Sequence, residues 1–229
     1  MITEPLVLII GQCPDPHIDA VSDALERLGV PVVCLQRHSR LHTLTLRFGP
    51  KGHSQCFSTT GNQDFDFSKV RSVWWRMKPH VPSEFSGGVS TLVERFIVTE
   101  WGNALKALPT FLTHAKWVNP LTNHELTSYK PRQLKLAIEV GLSIPETVIS
   151  NCIEDVAELF LRHASVIYKS LSSFVIPPDH IIYTTKISKE ELLKSERSFK
   201  AAPGIFQEYV EKKHELRVGC RRSSVCGKY

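Results

Sequence analysis

A strand, a capped helix and a second strand at the start of the chain constrain its fold more than any other feature. Pro5 to Ile10 (PLVLII) is an unbroken apolar run, the pattern of a strand buried on both faces. Asp15 then supplies an N-cap and Pro16 the first helical turn. Ile18, Val21, Leu25 and Leu28 recur at helical spacing, and Gly29 ends the helix as a C-terminal cap. Pro31 to Leu35 (PVVCL) is the next strand. Such a unit pairs its two strands in parallel through a right-handed crossover, which makes the chain α/β from its outset.

Further along, Leu44, Leu46 and Phe48 alternate with Thr43, Thr45 and Arg47, predicting a half-buried strand near a sheet edge. Val70 to Arg76 (VRSVWWR) is another strand, with Trp74 and Trp75 read as core and interdomain contacts. Arg76 stands at that strand's carboxyl end, where open α/β sheets place ligands. An amphipathic helix follows a turn-rich stretch, with Leu92, Val93, Phe96, Ile97, Ala104, Leu105 and Leu108 facing inward and Gly102 interrupting it. Trp117 to Asn123 is the expected passage to a second, α+β region.

In that region Pro131 opens a helix with Leu134, Ala137 and Ile138 inward, closed by Gly141. Strands are expected at Glu146 to Ser150, Ser165 to Lys169, Ile181 to Ile187 and Ile205 to Val210. A helix is expected over Glu154 to His163, and Ser188 with Glu191 forms a capping box for a short one.

The 229 residues, 42% of them hydrophobic, suffice for one large or two small domains. Pro5 to Ile10 is too short to span a bilayer and has no basic residue before it, so neither a membrane span nor a signal peptide is read, and a cytoplasmic protein is the expectation. Six cysteines at 13, 34, 56, 152, 220 and 226 show no CxxC and no paired spacing, which argues against a disulfide framework or zinc site, and Cys34 reads as a strand core residue. The ten histidines show no HxH or HExxH, so no metal ligand is assigned. The net charge of +5 includes Arg221, Arg222 and Lys228 in an end that holds no acid; without these three it falls to +2. A basic tail is not a basic groove, and nucleic acid is not the expected partner.

Three cations stand where a polyphosphate would want them. Lys130 precedes the helix starting at Pro131, beside free backbone N–H groups and the positive end of the helix dipole. Lys169 ends the apolar run SVIY, where a strand must release the ammonium to solvent or give it an anionic partner. Arg217 alternates with Leu216 and Val218 on an expected strand leaving the hinge.

Taken in order, WVNPLTNHELTSYKPRQLKLAIEVGLSIPETVISN, VIYK, IYT and FQEYVEKKHELRV resemble the ATP-grasp fold. More specifically they are similar to the ligases that mature microviridin-type ribosomal peptides (graspetides). LERLGVPV and SVWWR match the pre-ATP-grasp domain of that group. The resemblance implies a Rossmann-like pre-ATP-grasp α/β domain over 1–118, the α+β N-terminal lobe of the ATP-grasp domain over 119–206, and a hinge with an incomplete C-terminal lobe over 207–229. It implies ATP as cofactor, with Lys130 and Lys169 on the phosphates and Gln207, Glu208, Tyr209 and Val210 along the adenine. Glu215 would meet the ribose hydroxyls, and Arg217 would neutralise the transferring phosphoryl group as the catalytic residue. The implied reaction joins a carboxylate to an amine or hydroxyl through an acyl phosphate, with magnesium ions neutralising charge. The implied partners are a precursor peptide with its leader segment and, optionally, a second copy of the chain.

Two departures qualify this. GCRRSSVCGKY, after Val218, has no period-two apolar pattern, so a truncated or frame-shifted end is expected. With it are expected a hinge strand lacking a neighbour, a partly open adenine pocket, no magnesium ligands and little turnover. The loop SLSSFVIPPDHI holds no glycine to cover a phosphate. The alternatives are a non-catalytic peptide- or partner-binding module, and a different ATP-grasp ligase acting on free amino acids or ribosomal protein tails.

Overall fold

The computed structural model describes residues 4–36, 42–50, 55–60, 63–77, 91–172, 175–176, 180–181, 183–195, 199–221 and 224–228. The chain divides into two compact units, one of residues 1–132 with 174–181 and one of residues 133–173 with 182–229.

The first unit begins with β1 (Leu6–Gly11), α1 (Pro16–Arg27) and β2 (Val32–Gln36). There follow β3 (His42–Arg47), β4 (Gln55–Thr60), β5 (Gln63–Asp66), β6 (Val70–Arg76), α2 (Thr91–Lys106), β7 (Lys116–Val118) and α3 (Leu121–Ser128). β1 pairs in parallel with β2 on one side and β6 on the other, and β7 extends the sheet in parallel beyond β6. As the central strand, β1 buries Leu6, Leu8, Ile9 and Ile10 completely, which is what its unbroken apolar run requires. β3, β4 and β5 form a separate antiparallel sheet, with β3 at its edge as its alternation predicts. Leu44 and Leu46 lie half-buried against the core.

Asp15 shows why α1 starts where it does. Its carboxylate is fully buried, caps the helix by accepting from the His17 backbone N–H at 3.0 Å, and accepts from Arg76 Nε at 3.1 Å. A buried carboxylate needs such a partner. The Arg76 guanidinium, at the carboxyl end of its strand, thus ties the end of β6 to the cap of α1. Cys34 lies half-buried on β2, 3.8 Å from the Cys13 sulfur, and burial, then Cys13, pushes its thiol up to about 12.

Helical periodicity overstated some burial. Leu28 is 76% exposed, because it is already the C-cap residue, after which the chain turns at Gly29. In α2 Leu105 is buried, as is Leu108 just beyond it, but Leu92, Val93 and Phe96 are exposed, and Glu94 is the buried residue of the first turn.

The second unit takes most of α4 (Lys130–Glu139), then β8 (Thr147–Ser150), α5 (Ile153–Ala157), α6 (Leu159–Arg162) and β9 (Val166–Lys169). The short pair β10 (Val175–Ile176) and β11 (His180–Ile181) belongs to the first unit. β12 (Thr185–Ile187), α7 (Lys189–Lys194), β13 (Gly204–Glu208), β14 (Arg217–Arg221) and β15 (Ser224–Lys228) complete the chain. Four strands make an antiparallel sheet in the order β12-β9-β13-β8. One face carries Val148, Tyr168 and Phe206 against Val156, Leu159, Leu192 and Phe199. Ser188 and Glu191 make the predicted capping box.

Several expectations are corrected here. Ile138 is exposed and α4 buries no residue fully. The helix over 154–163 is two short ones meeting at Glu158. The strand over 181–187 is reduced to β12 plus Ile181 in β11, with Tyr183 exposed between them. The hinge strand has neighbours on both sides, β9 and β8, because its partners come from upstream sequence rather than from residues after Val218. Those later residues form a hairpin, Arg217 opposite Lys228 and Arg221 opposite Ser224, despite lacking apolar alternation.

Two glycines hold the second unit's geometry for different reasons. Gly141 has φ +80 and closes α4 in a Schellman motif, its N–H bonding Ile138 and that of Leu142 bonding Ala137. A Cβ there meets nothing within 4 Å, whereas a Cβ on Gly204 would lie 2.5 Å from the Tyr168 ring. Gly141→Ala should therefore cost about 1 kcal/mol from backbone strain alone, and Gly204→Ala about 1–3 kcal/mol from overpacking. Urea unfolding monitored by far-UV circular dichroism measures both; an unchanged midpoint for Gly204→Ala would mean that the Tyr168 ring is free to move aside.

Candidate nucleotide site

β9 and β13 run antiparallel with Ile205 opposite Lys169 and Gln207 opposite Ile167. Side chains alternate across a sheet, so Lys169, Ile167, Ile205 and Gln207 share the face turned away from the Phe206 core. Across the other edge of β13, Gln207 stands opposite Thr147.

A directed chain of hydrogen bonds crosses this face. The Lys169 ammonium donates to Gln207 Oε1 at 2.6 Å, Gln207 Nε2 donates to Thr147 Oγ1 at 2.8 Å, and the Thr147 hydroxyl donates to the Pro145 carbonyl at 2.8 Å. Lysine can only donate, so the amide oxygen of Gln207 must be the atom facing it. Gln207 is only 5% exposed, and with both ends satisfied it holds the half-buried Lys169 head group in one place.

Beyond Gln207 the strand ends in the hinge. The Glu208 N–H bonds the Glu146 carbonyl at 2.9 Å, and the Tyr209 N–H bonds the Ser165 carbonyl at 3.0 Å. The two amides are thus spent on opposite neighbours. Val210, half exposed, is the next residue, and among the described hydrogen bonds its N–H has no protein acceptor. The Tyr209 ring receives the Lys186 ammonium 3.4 Å from its centroid, a cation–π contact from β12.

The Glu208 side chain belongs to a charged cluster at the same strand end. Glu146 Oε1 accepts from Arg162 Nη2 at 2.6 Å and Nε at 3.0 Å, and Glu146 Oε2 lies 2.6 Å from His163 Nε2. His163 Nδ1 stands 3.8 Å from Glu208 Oε1, while Glu208 Oε2 accepts from the Glu146 N–H at 3.3 Å.

The structure thus brings Lys169, Gln207, Glu208, Tyr209 and Val210 together. Lys130 opens α4 with its side chain half-buried, and falls in the first unit. Glu215 is exposed and pairs with Lys212 at 3.4 Å. Arg217 begins β14, and its side chain lies outside the described residues. Thr147, Lys186, Glu146, Arg162 and His163 were not read from the sequence. The alternation TTKI carried a signal for Lys186; nothing local marked His163, whose partners Glu146 and Glu208 are distant in sequence.

No protein-family model and no curated protein matches the chain. Solved structures do. Macrocyclase MdnC from Microcystis aeruginosa MRC, bound with precursor peptide MdnA, has TM-score 0.84 and 23% identity over 97% of this chain and 74% of its own. Macrocyclase MdnB from the same organism has TM-score 0.75 and 26% identity over 97% of this chain and 74% of its own. A RiPP-associated ATP-grasp ligase of Chryseobacterium gregarium, in complex with ADP and a leader and core peptide, has TM-score 0.75 and 22% identity over 97% and 68%. The fold is α/β and ATP-grasp-like. The resemblance read from the sequence, to the ATP-grasp ligases of ribosomal peptides, is borne out.

The Arg162 hydrogen bonds, followed by that of His163, hold the Glu146 carboxyl below its ordinary value of 4.5. A depressed folded pKa means that its stabilising contribution is complete above the ordinary value and is lost as pH falls through the folded one. Urea titrations of the parent chain should show stability falling below about pH 4.5, and Glu146→Gln should flatten that fall. An unchanged acid limb would exclude Glu146 as its source.

Proposed function

We propose that this chain takes part in ATP-dependent ligation of a ribosomally made peptide, joining a carboxylate to an amine or hydroxyl, with the nucleotide on the Lys169–Gln207 face of the second unit's sheet. The observation that carries this reading is the Lys169–Gln207–Thr147 chain leading directly into the Glu208–Val210 hinge, on a fold similar to ligases and macrocyclases solved with peptides or ADP.

The residues fit the group. Ile167 gives a half-buried apolar neighbour to Lys169, the Val210 N–H is proposed to donate to a ring acceptor, and Lys169 is a positive point charge for a phosphate oxygen. Gln207 keeps that charge aimed, and Tyr209 with Lys186 forms a stacked edge. The nucleotide, when bound, supplies the phosphoryl group that activates a carboxylate as an acyl phosphate. The protein's own part is positioning and charge neutralisation. Lys130 and Arg217 are proposed to add to the phosphate side, with Arg217 acting on the transferred group, and Glu215 is proposed for the ribose. Among the described residues no group of three His, Cys, Asp or Glu could hold a metal ion, so no step is assigned to magnesium. No described helix is long and apolar enough to cross a membrane. The proposed partner is a precursor peptide with its leader segment, as in the complexes of MdnC and the Chryseobacterium gregarium ligase.

Calorimetry with a non-hydrolysable ATP analogue tests the nucleotide site. Binding should be saturable, and Lys169→Ala should weaken it roughly tenfold to a hundredfold through loss of a charge-assisted hydrogen bond. Equal affinity in the variant, or no heat at millimolar nucleotide, would overturn the assignment. Heat with a leader-like peptide but none with nucleotide would instead support a non-catalytic peptide-binding module.

A further inference from the structure

We infer that His163 is a positioning residue whose charge sets how firmly the hinge Glu208–Val210 is held, and through it the affinity for nucleotide; the second clause rests on the proposed nucleotide site. His163 follows α6 and is 19% exposed. Its imidazole lies between two carboxylates, with Nε2 2.6 Å from Glu146 Oε2 and Nδ1 3.8 Å from Glu208 Oε1.

The two carboxylates are not equally secured. Glu146 is saturated, with Arg162 on one oxygen and His163 on the other. Glu208 has only the Glu146 backbone N–H on Oε2, at 3.3 Å, and His163 opposite Oε1. The other charges facing the cluster are Arg162 and, across it at 3.7 Å, Glu158. No second cation is therefore placed against Glu208 among these contacts.

A neutral imidazole has one N–H, and the shorter contact claims it for Glu146. The Nδ1 lone pair then faces the Glu208 carboxylate, and the two repel. A protonated imidazole has an N–H on each side and attracts both. Glu208 is the last residue of β13, and its backbone and that of Tyr209 are pinned to Glu146 and Ser165. Loosening the Glu208 side chain acts directly on those two hydrogen bonds and on Val210 beyond them. His163 touches no nucleotide position itself. It acts through the hinge.

Two readouts test this on the full chain. The first is amide hydrogen exchange of the segment 205–212 without nucleotide, corrected for intrinsic rates, at pH 6 and pH 8. The second is affinity for a non-hydrolysable ATP analogue at the same pH values. The parent chain should lose hinge protection and affinity by roughly two- to fivefold from pH 6 to pH 8, the scale of a partly exposed ion pair. His163→Gln, which donates to Glu146 but carries no charge, should sit at the pH 8 level throughout. Glu208→Gln should also abolish the pH response, and adding His163→Gln to it should change nothing further. This second variant decides the matter if His163→Gln fails to fold. A pH response of hinge protection that persists in His163→Gln or in Glu208→Gln would overturn the inference while leaving nucleotide binding intact. Hinge protection that follows His163 in a chain that binds no nucleotide would uphold the positioning role of His163 and overturn the proposed nucleotide site together with the effect on nucleotide affinity.

Discussion

The second unit depends on the pairing of β13 along both edges. Gly204 to Glu208 are hydrogen-bonded to β8 on one side and β9 on the other, and four of its five residues are buried. A strand held this way presents two different chemistries. Phe206 enters an aromatic cluster with Tyr168 and Phe199, its ring centroid 5.4 and 5.0 Å from theirs. Ile205 and Gln207 look the other way and set the floor on which Lys169 is fixed. Because a one-residue slip exchanges the two faces, the core and the site specify each other's register. Gly204 contributes from the strand's start, since only a residue without Cβ leaves room for the Tyr168 ring.

From this strand the polar contacts radiate outward in order of decreasing burial. Gln207 is nearly enclosed, Lys169 is half-buried, and Glu208 sits at the margin among Glu146, Arg162 and His163. Tyr209 and Val210 are open to solvent on one side. That gradient gives a rigid polar anchor next to a hinge whose order depends on weaker, more screened interactions. A face built this way can hold a ligand's charged end tightly while its flat end closes against an adjustable edge.

Much of the fold was legible because local chemistry and global placement agree. Asp15-Pro16 and Gly29 bound α1, Gly141 closes α4, and Ser188 with Glu191 caps α7, since caps are decided within a few residues. Periodicity showed which helix faces are apolar but not what covers them, so Leu92, Phe96 and Ile138 were expected inside and are outside. β4 and β5 escaped notice because QCFSTT and QDFD carry too few apolar residues to alternate clearly. A strand was expected around Arg217, where β14 begins, but its return strand β15 escaped for the same reason, and the expectation of an unpaired hinge strand followed from assuming that its neighbours came after it. In the site, Lys169 and the hinge were legible as motifs. Gln207's role as the lysine's anchor, and the His163 cluster, exist only through cross-strand register, which no local window contains.

The central claim is that the hinge after Gln207 meets a nucleotide through the backbone of Val210. Backbone amide resonances followed during titration with a non-hydrolysable ATP analogue test it most directly. The account predicts a saturable shift at the Val210 amide, with the Glu208 and Tyr209 amides keeping their hydrogen-bonded character. Saturation with no change at any amide from Ile205 to Val210 would place the nucleotide elsewhere and contradict the account.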